Sequence, residues 1–303
     1  MLKGKTISIN WDLLEKLNDS GFQKYVHQPL PCNTVLLENY SNYLDDPFLV
    51  GDTKRYSFNG DCFRSRRNIS LEKPRGVFRV IILGDSYVYG YGLDDNETLT
   101  ETLERELNSQ GNYSFQVINL GVSCYNTKLE VQRLLEKGLK YNPDVVILAY
   151  VRFDYLPDRH TYYIDRFLFG HPRQFSQIQS LVWNAYLNRY INYDTSSKNY
   201  SEYKFKLLYN ISVTKPLEEL VGYSKEYNFF LLVISYSENP KEKSLLLNLS
   251  QRIGYPLIFL DKEIGYKAEQ PWVLNDKDTH PSVFANKKIA RFLFEYLKTH
   301  FSK

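Results

Sequence analysis

The sequence predicts a doubly wound α/β protein built on a parallel sheet. Five short, nearly uninterrupted apolar runs (77–83, 115–120, 145–151, 229–236 and 256–260) read as strands covered on both faces. Segments with apolar residues at helical spacing stand between them, and that alternation is the pattern of βα units. The two ends of the pattern carry polar residues of a particular kind. The first strand runs into Gly84-Asp85-Ser86, and Asp278-Thr279-His280-Pro281 precedes the last helix.

Taken in order, residues 1–75 read as an N-terminal extension. Trp11 to Leu17 has the spacing of a short helix, and Pro29 to Asn68 is rich in turn residues, which predicts loops and short strands. Residues 76–303 hold the strand–helix repeat. A helix over 97–109 presents Leu99, Leu103 and Leu107 on one face, and a helix over 127–140 presents Leu129, Leu134, Leu135 and Leu139. Asn142-Pro143-Asp144 turns that helix into the third strand. An aromatic-rich insertion at 157–205 interrupts the rhythm, with helical spacing around Gln177 to Tyr190. It leaves the carboxyl end of the third strand, where open α/β sheets bind ligands, so it is either a substrate wall or a packing excursion. Helices over 215–227, 241–254 and 282–300 complete the repeat.

Composition excludes more than it assigns. A chain of 303 residues with 43% hydrophobic residues can bury a large core. A net charge of +3, dispersed along the chain, gives no basis for a nucleic-acid partner. No run nears the roughly 20 apolar residues of a membrane span. Met1 to Gly21 lacks the apolar core of a signal peptide, so the expected location is cytoplasmic. Three cysteines, Cys32, Cys62 and Cys124, with no CxxC spacing argue against a disulfide framework or a zinc site. The 26 tyrosines and 18 phenylalanines suit carbohydrate or protein contacts, but packing in a large core is the simpler account.

The chemistry rests on Ser86 and His280. A serine hydroxyl is a weak nucleophile that needs an adjacent base. Of the five histidines, His280 alone follows an acid and is braced by a proline ahead of a helix. Asp278 would orient its imidazole, and Asp276 is the alternative acid. Each segment alone also reads as an ordinary turn or helix cap; found together, at opposite ends of an α/β pattern, they read as a site.

At these residues the chain resembles the SGNH (GDSL-type) hydrolases. The matching segments are Gly84-Asp85-Ser86, Asn119-Leu120-Gly121-Val122-Ser123 and Asp278-Thr279-His280-Pro281, flanked by Tyr89-Gly90-Tyr91-Gly92 and Tyr141-Asn142-Pro143-Asp144-Val145-Val146. Asn59-Gly60-Asp61-Cys62-Phe63-Arg64 is similar to a segment that precedes this domain in many bacterial members. The resemblance spans about residues 75–300. It implies a flavodoxin-like three-layer α/β/α fold and a Ser-His-Asp triad of Ser86, His280 and Asp278. It implies ester hydrolysis or O-acyl transfer on a small-molecule or carbohydrate ester, with no metal or organic cofactor.

The chain departs from the family at the oxyanion hole. The family's glycine donor falls at Cys124, whose backbone N–H survives. The family's asparagine donor falls at Phe153, which donates nothing; Arg152 and Asn126 are the nearby substitutes. Loss of one such donor typically costs about 10²–10³ in rate. The commonest acid position, three residues before the histidine, is Lys277 here, and Asp278 stands two before.

Two function classes follow: a serine esterase or acyl-transfer enzyme, or a degenerate protein of the same fold that binds a ligand or partner through the Tyr-rich insertion. A nucleotide binder is disfavoured, because the first strand leads into no GxGxxG or GxxxxGK loop. Arg64, Arg66 and Arg67 read as a solvated basic face, Cys124 as a small turn residue, and His160 and His171 as surface residues. Arg152 and Asp154 are close enough in sequence to pair with each other.

Overall fold

A computed structural model of the chain describes residues 32–39, 53–109, 114–152, 154–155, 200–276 and 278–301. The expectations for Trp11 to Leu17, for most of the 157–205 insertion with His160 and His171, and for Phe153 and Lys277 lie outside the described residues.

The centre is a five-stranded sheet, parallel throughout. Its strands are β3 (Val77–Leu83), β4 (Ser114–Asn119), β5 (Val145–Tyr150), β6 (Phe230–Ser235) and β7 (Leu257–Phe259), in spatial order β4-β3-β5-β6-β7. The chain reverses its direction of travel across the sheet between β3 and β5. In doubly wound sheets the ligand crevice opens outside the carboxyl ends of the strands at such a switch point. The α/β layout expected from the sequence is the one observed, with strand bounds shifted by a residue or two.

Period-two alternation sorts each strand between two cores. Val80 and Ile82 face a layer made by α2 (Leu99–Asn108) and α8 (Val283–Phe301), through Leu99, Leu103, Ile289, Leu293 and Leu297. Ile81 and Leu83 face the opposite layer. It is built by α3 (Thr127–Arg133), α5 (Lys215–Glu226) and α6 (Pro240–Ile253), with Val131, Leu217, Leu220 and Leu246. All of these side chains are buried, which explains why the strands read as apolar runs with no polar face.

The helix expected to begin at residue 215 is longer in the structure. A helix α4 (Tyr200–Tyr209) runs through a wide turn at Asn210–Thr214 into α5. The 127–140 helix likewise passes from α3 into a wide turn at Leu134–Gly138 and a tight one at Leu139–Tyr141, and Asn142 ends it in a left-handed conformation.

The extension contributes an antiparallel hairpin of β1 (Thr34–Asn39) and β2 (Thr53–Phe58). The linker after it is fixed by Arg79 of β3, which is fully buried. Its guanidinium donates to the carbonyls of Ser70, Leu71, Glu72 and Tyr141 and to Oε1 of Gln116, at 2.6–3.1 Å.

Two expectations are corrected here. Cys32 and Cys62 form a disulfide, with Cα atoms 4.3 Å apart. Their separation of 30 residues matches no short spacing rule, and the hairpin is what brings them together. Among the described residues no helix is long and apolar enough to cross a membrane. The second correction concerns Arg64, which is buried rather than solvated. Arg66 and Arg67 are exposed, and they pair with Glu101 and Glu104 of α2.

Candidate active site

Ser86 opens α1 (Ser86–Tyr89), a single helical turn directly after β3. Asp85 caps it, its side chain accepting from the Tyr87 N–H at 2.9 Å. Asp85 is buried, so the residue preceding Ser86 is tied into the turn. Gly90 ends the turn with φ of 82°, a left-handed conformation that glycine adopts without steric cost.

His280 does not sit in a helix cap, as its sequence context suggested. It lies on β9 (Asp278–Pro281), which pairs antiparallel with β8 (Val273–Asn275), and the cap of α8 falls to Ser282. On that strand its Nε2 is 2.8 Å from Ser86 Oγ. Its Nδ1 is 2.5 Å from Asp278 Oδ1, and the same carboxylate oxygen accepts from the His280 backbone N–H at 3.0 Å. Two bonds from one oxygen set both the ring orientation and the nitrogen that faces the serine. Asp278, rather than Asp276, stands at Nδ1. The rings of Tyr91 and Tyr87 lie against the imidazole, with centroids 4.9 and 5.4 Å away, and limit the water around it.

The loop after β4 is held close to α1. A β-carbon on Gly121 would lie 2.3 Å from the Tyr89 backbone nitrogen, so only glycine fits. Asn119 bridges the same gap. Its Nδ2 donates to the Val88 carbonyl at 2.8 Å, and its Oδ1 accepts from the Gly121 N–H at 2.9 Å. Asn119 was legible only as part of a motif, since nothing in composition marks it as a brace.

Farther along this loop, Cys124 has φ of 68°, in the left-handed region. That is the physical reason a glycine is expected there, and a residue with a β-carbon costs about 1–2 kcal/mol in that conformation. Cys124→Gly is therefore expected to raise stability by up to about 1 kcal/mol, measured as a Tm increase of about 2 °C, with activity retained. An unchanged or lower Tm would show that the thiol contributes packing of equal worth.

The other predicted site residues are placed as follows. Asn126 is buried and caps α3, its side-chain oxygen accepting from the Leu129 N–H at 3.1 Å. Arg152 is exposed just after β5, and its charge bears on Glu242. Asp154 is buried, where its Oδ2 accepts from the Val151 N–H at 3.1 Å and from Thr127 Oγ1 at 3.4 Å. Among the described residues, no group of three or more His, Cys, Asp or Glu side chains is arranged to hold a metal ion.

Behind the site lies a group the sequence did not single out. Glu130 of α3 is fully buried, and neither carboxylate oxygen has a hydrogen-bond partner. Burial first, then the negative charges of Asp154 and Asp85, push its pKa well above the carboxylate range. The folded chain thus binds this proton more tightly than the unfolded chain does. Its contribution is fully present below the unfolded value of about 4.3 and is lost as pH rises through the folded value. Glu130→Gln should match the wild type in Tm near pH 4 and exceed it increasingly toward pH 8. A constant Tm offset across that range would disprove the assignment.

No protein-family profile matches the chain, and no curated protein matches it in sequence. Solved structures do resemble it. The psychrotrophic esterase EstA from Pseudoalteromonas sp. is 16% identical over 74% of this chain and 99% of its own, with a TM-score of 0.47. A lipase/acylhydrolase from Enterococcus faecalis is 13% identical over 74% and 96%, with a TM-score of 0.47. AlinE4, an SGNH-hydrolase family esterase, is 16% identical over 75% and 98%, with a TM-score of 0.43. SGNH-type and related ester hydrolases thus recur among structures that resemble this chain.

Proposed function

We propose that this chain is a serine hydrolase acting on ester bonds, with Ser86 as nucleophile, His280 as base and Asp278 as the orienting acid. The observation that supports this reading is the unbroken relay from Asp278 Oδ1 through the His280 ring to Ser86 Oγ, at 2.5 and 2.8 Å. In the proposed reaction, Nε2 takes the hydroxyl proton as Oγ attacks the ester carbonyl. Asp278 stabilises the imidazolium that forms. The N–H groups of Ser86 and Cys124 are the proposed donors to the developing oxyanion. Collapse of the tetrahedral intermediate expels the alcohol, which takes the proton back from Nε2 and leaves an acyl-serine. Water then completes hydrolysis; a sugar hydroxyl in its place gives O-acyl transfer. A carbohydrate ester is the finer reading, favoured by the tyrosines beside His280, Tyr87 and Tyr91.

Labelling with a fluorophosphonate probe tests the reading. The expected adduct is one probe per chain, mapped by mass spectrometry to Ser86. A well-folded protein that takes no label would overturn it in favour of a binding protein on the same fold.

A further inference from the structure

Arg64 belongs to the segment that follows β2, outside the strand–helix repeat, yet it is only 4% exposed. Its Nη1 donates to the carbonyls of Tyr89 and Gly90, at 3.0 and 2.5 Å. Its Nη2 donates to the carbonyls of Leu93 and Arg55, at 2.5 and 3.2 Å. The guanidinium carbon lies 4.0 Å from the centre of the Tyr56 ring and 5.1 Å from that of Tyr89, and Nε is 3.6 Å from Asp95 Oδ1. Tyr56 adds a further hold, its hydroxyl accepting from the Gly92 N–H at 2.9 Å.

Two side chains from the extension therefore grip one short turn, Tyr89 to Leu93. That turn leaves α1 directly, and the N–H groups of Gly90 and Tyr91 donate back to the Ser86 carbonyl at 3.0 and 3.1 Å. The turn also carries Tyr91, whose ring packs on His280. Three turn carbonyls converging on one buried point need a cation with several donors in a fixed fork, which is what a guanidinium offers and an ammonium does not. Without it the Gly90 carbonyl would keep only the Leu93 N–H at 3.3 Å, the Tyr89 and Leu93 carbonyls would lose the guanidinium, and the three would repel one another.

We infer that Arg64 is a positioning residue for the Ser86–His280 pair, holding Tyr89–Leu93 in the curl that fixes α1 on one side and sets Tyr91 against His280 on the other. The inference rests on the proposed roles of Ser86 and His280. It makes the extension part of the site, although it lies outside the α/β repeat.

The test compares Arg64→Ala, Arg64→Lys and the milder Tyr56→Phe with the wild type on an activated acetate ester. A 1 Å displacement of catalytic groups can cost about 10²-fold. The expected result is a fall of about 10–100-fold in kcat for both Arg64 variants, with KM within about threefold. The same argument gives a smaller fall for Tyr56→Phe, and partial rescue of Arg64→Ala by millimolar guanidinium. A folded Arg64→Ala with unchanged kcat, or a kcat loss that Arg64→Lys restores, would overturn the inference. Two readouts are independent of turnover. In Arg64→Ala, hydrogen exchange should rise selectively at the Gly90 and Tyr91 amides, and the His280 ring protons should shift as Tyr91 moves. If the wild type neither hydrolyses esters nor takes the fluorophosphonate, the functional reading fails, and these two readouts still decide whether Arg64 sets the geometry at His280. Uniform exchange or unmoved His280 resonances would sink it even where turnover falls.

Discussion

Ser86→Ala is expected to lower ester hydrolysis by about 10⁴-fold or more and to abolish fluorophosphonate labelling, with Tm within a few degrees of the wild type. The hydroxyl is the only group removed, and its partner, His280 Nε2 at 2.8 Å, remains partly exposed and able to bind water. His280→Ala should cost about as much. The double variant should cost little more than either single one, because nucleophile and base act as a unit. Asp278→Asn should also cost about 10⁴-fold. The asparagine would no longer stabilise the imidazolium, and it would offer its amide where the ring nitrogen needs an acceptor. Asp276→Asn should leave the rate near wild type, which separates the two acids left open by the sequence. Additive losses, or a Ser86→Ala enzyme with more than about a tenth of the original kcat, would end the triad assignment.

How much of this was legible depends on where the information sits. The strands could be read because each is buried on both faces, so the apolar run itself is the signal. Ser86 and His280 stood out because they occur together at opposite ends of such a pattern, although each segment alone is an ordinary turn or cap. The strand that carries His280 could not be read. It is four residues long, polar, and held by pairing with Val273 and Asn275 of β8 rather than by any propensity of its own. Arg64, Arg66 and Arg67 look alike in sequence, yet one is buried under a turn about 25 residues ahead of it and two are solvated pairs. Only the hairpin's docking against the Tyr89–Leu93 turn separates them. The disulfide was missed for the same reason, since its spacing reflects tertiary contact rather than a local rule. Glu130 was hidden differently: a glutamate in a helix is expected at the surface, and nothing nearby in sequence announces its full burial or the charges of Asp154 and Asp85 that bear on it.

The second large effect concerns Gly121, where space rather than backbone conformation decides. A β-carbon there would meet the Tyr89 nitrogen at 2.3 Å, the Val88 carbonyl carbon at 2.7 Å and Val88 Cβ at 2.9 Å. Two of these three atoms are backbone, so no rotamer change relieves the clash. Either α1 or the loop after β4 must retreat, and the two carry Ser86 and Cys124. Retreat would also stretch the Asn119 bridge between the Val88 carbonyl and the Gly121 N–H. Gly121→Ala is therefore expected to cost about 3 kcal/mol in denaturant unfolding, at the upper end of overpacking penalties. It should lower kcat about 10²-fold in the molecules that remain folded, because the N–H groups of Ser86 and Cys124, proposed as the oxyanion donors, would move apart. Asn119→Ala removes the bridge without adding a clash, so it should lower stability by about 1–3 kcal/mol, the cost of leaving a buried carbonyl unsatisfied, and reduce kcat less. If Gly121→Ala unfolds early but its folded fraction turns over at the wild-type rate, the close approach serves packing alone. The oxyanion hole would then have to be built from other donors than the N–H groups of Ser86 and Cys124.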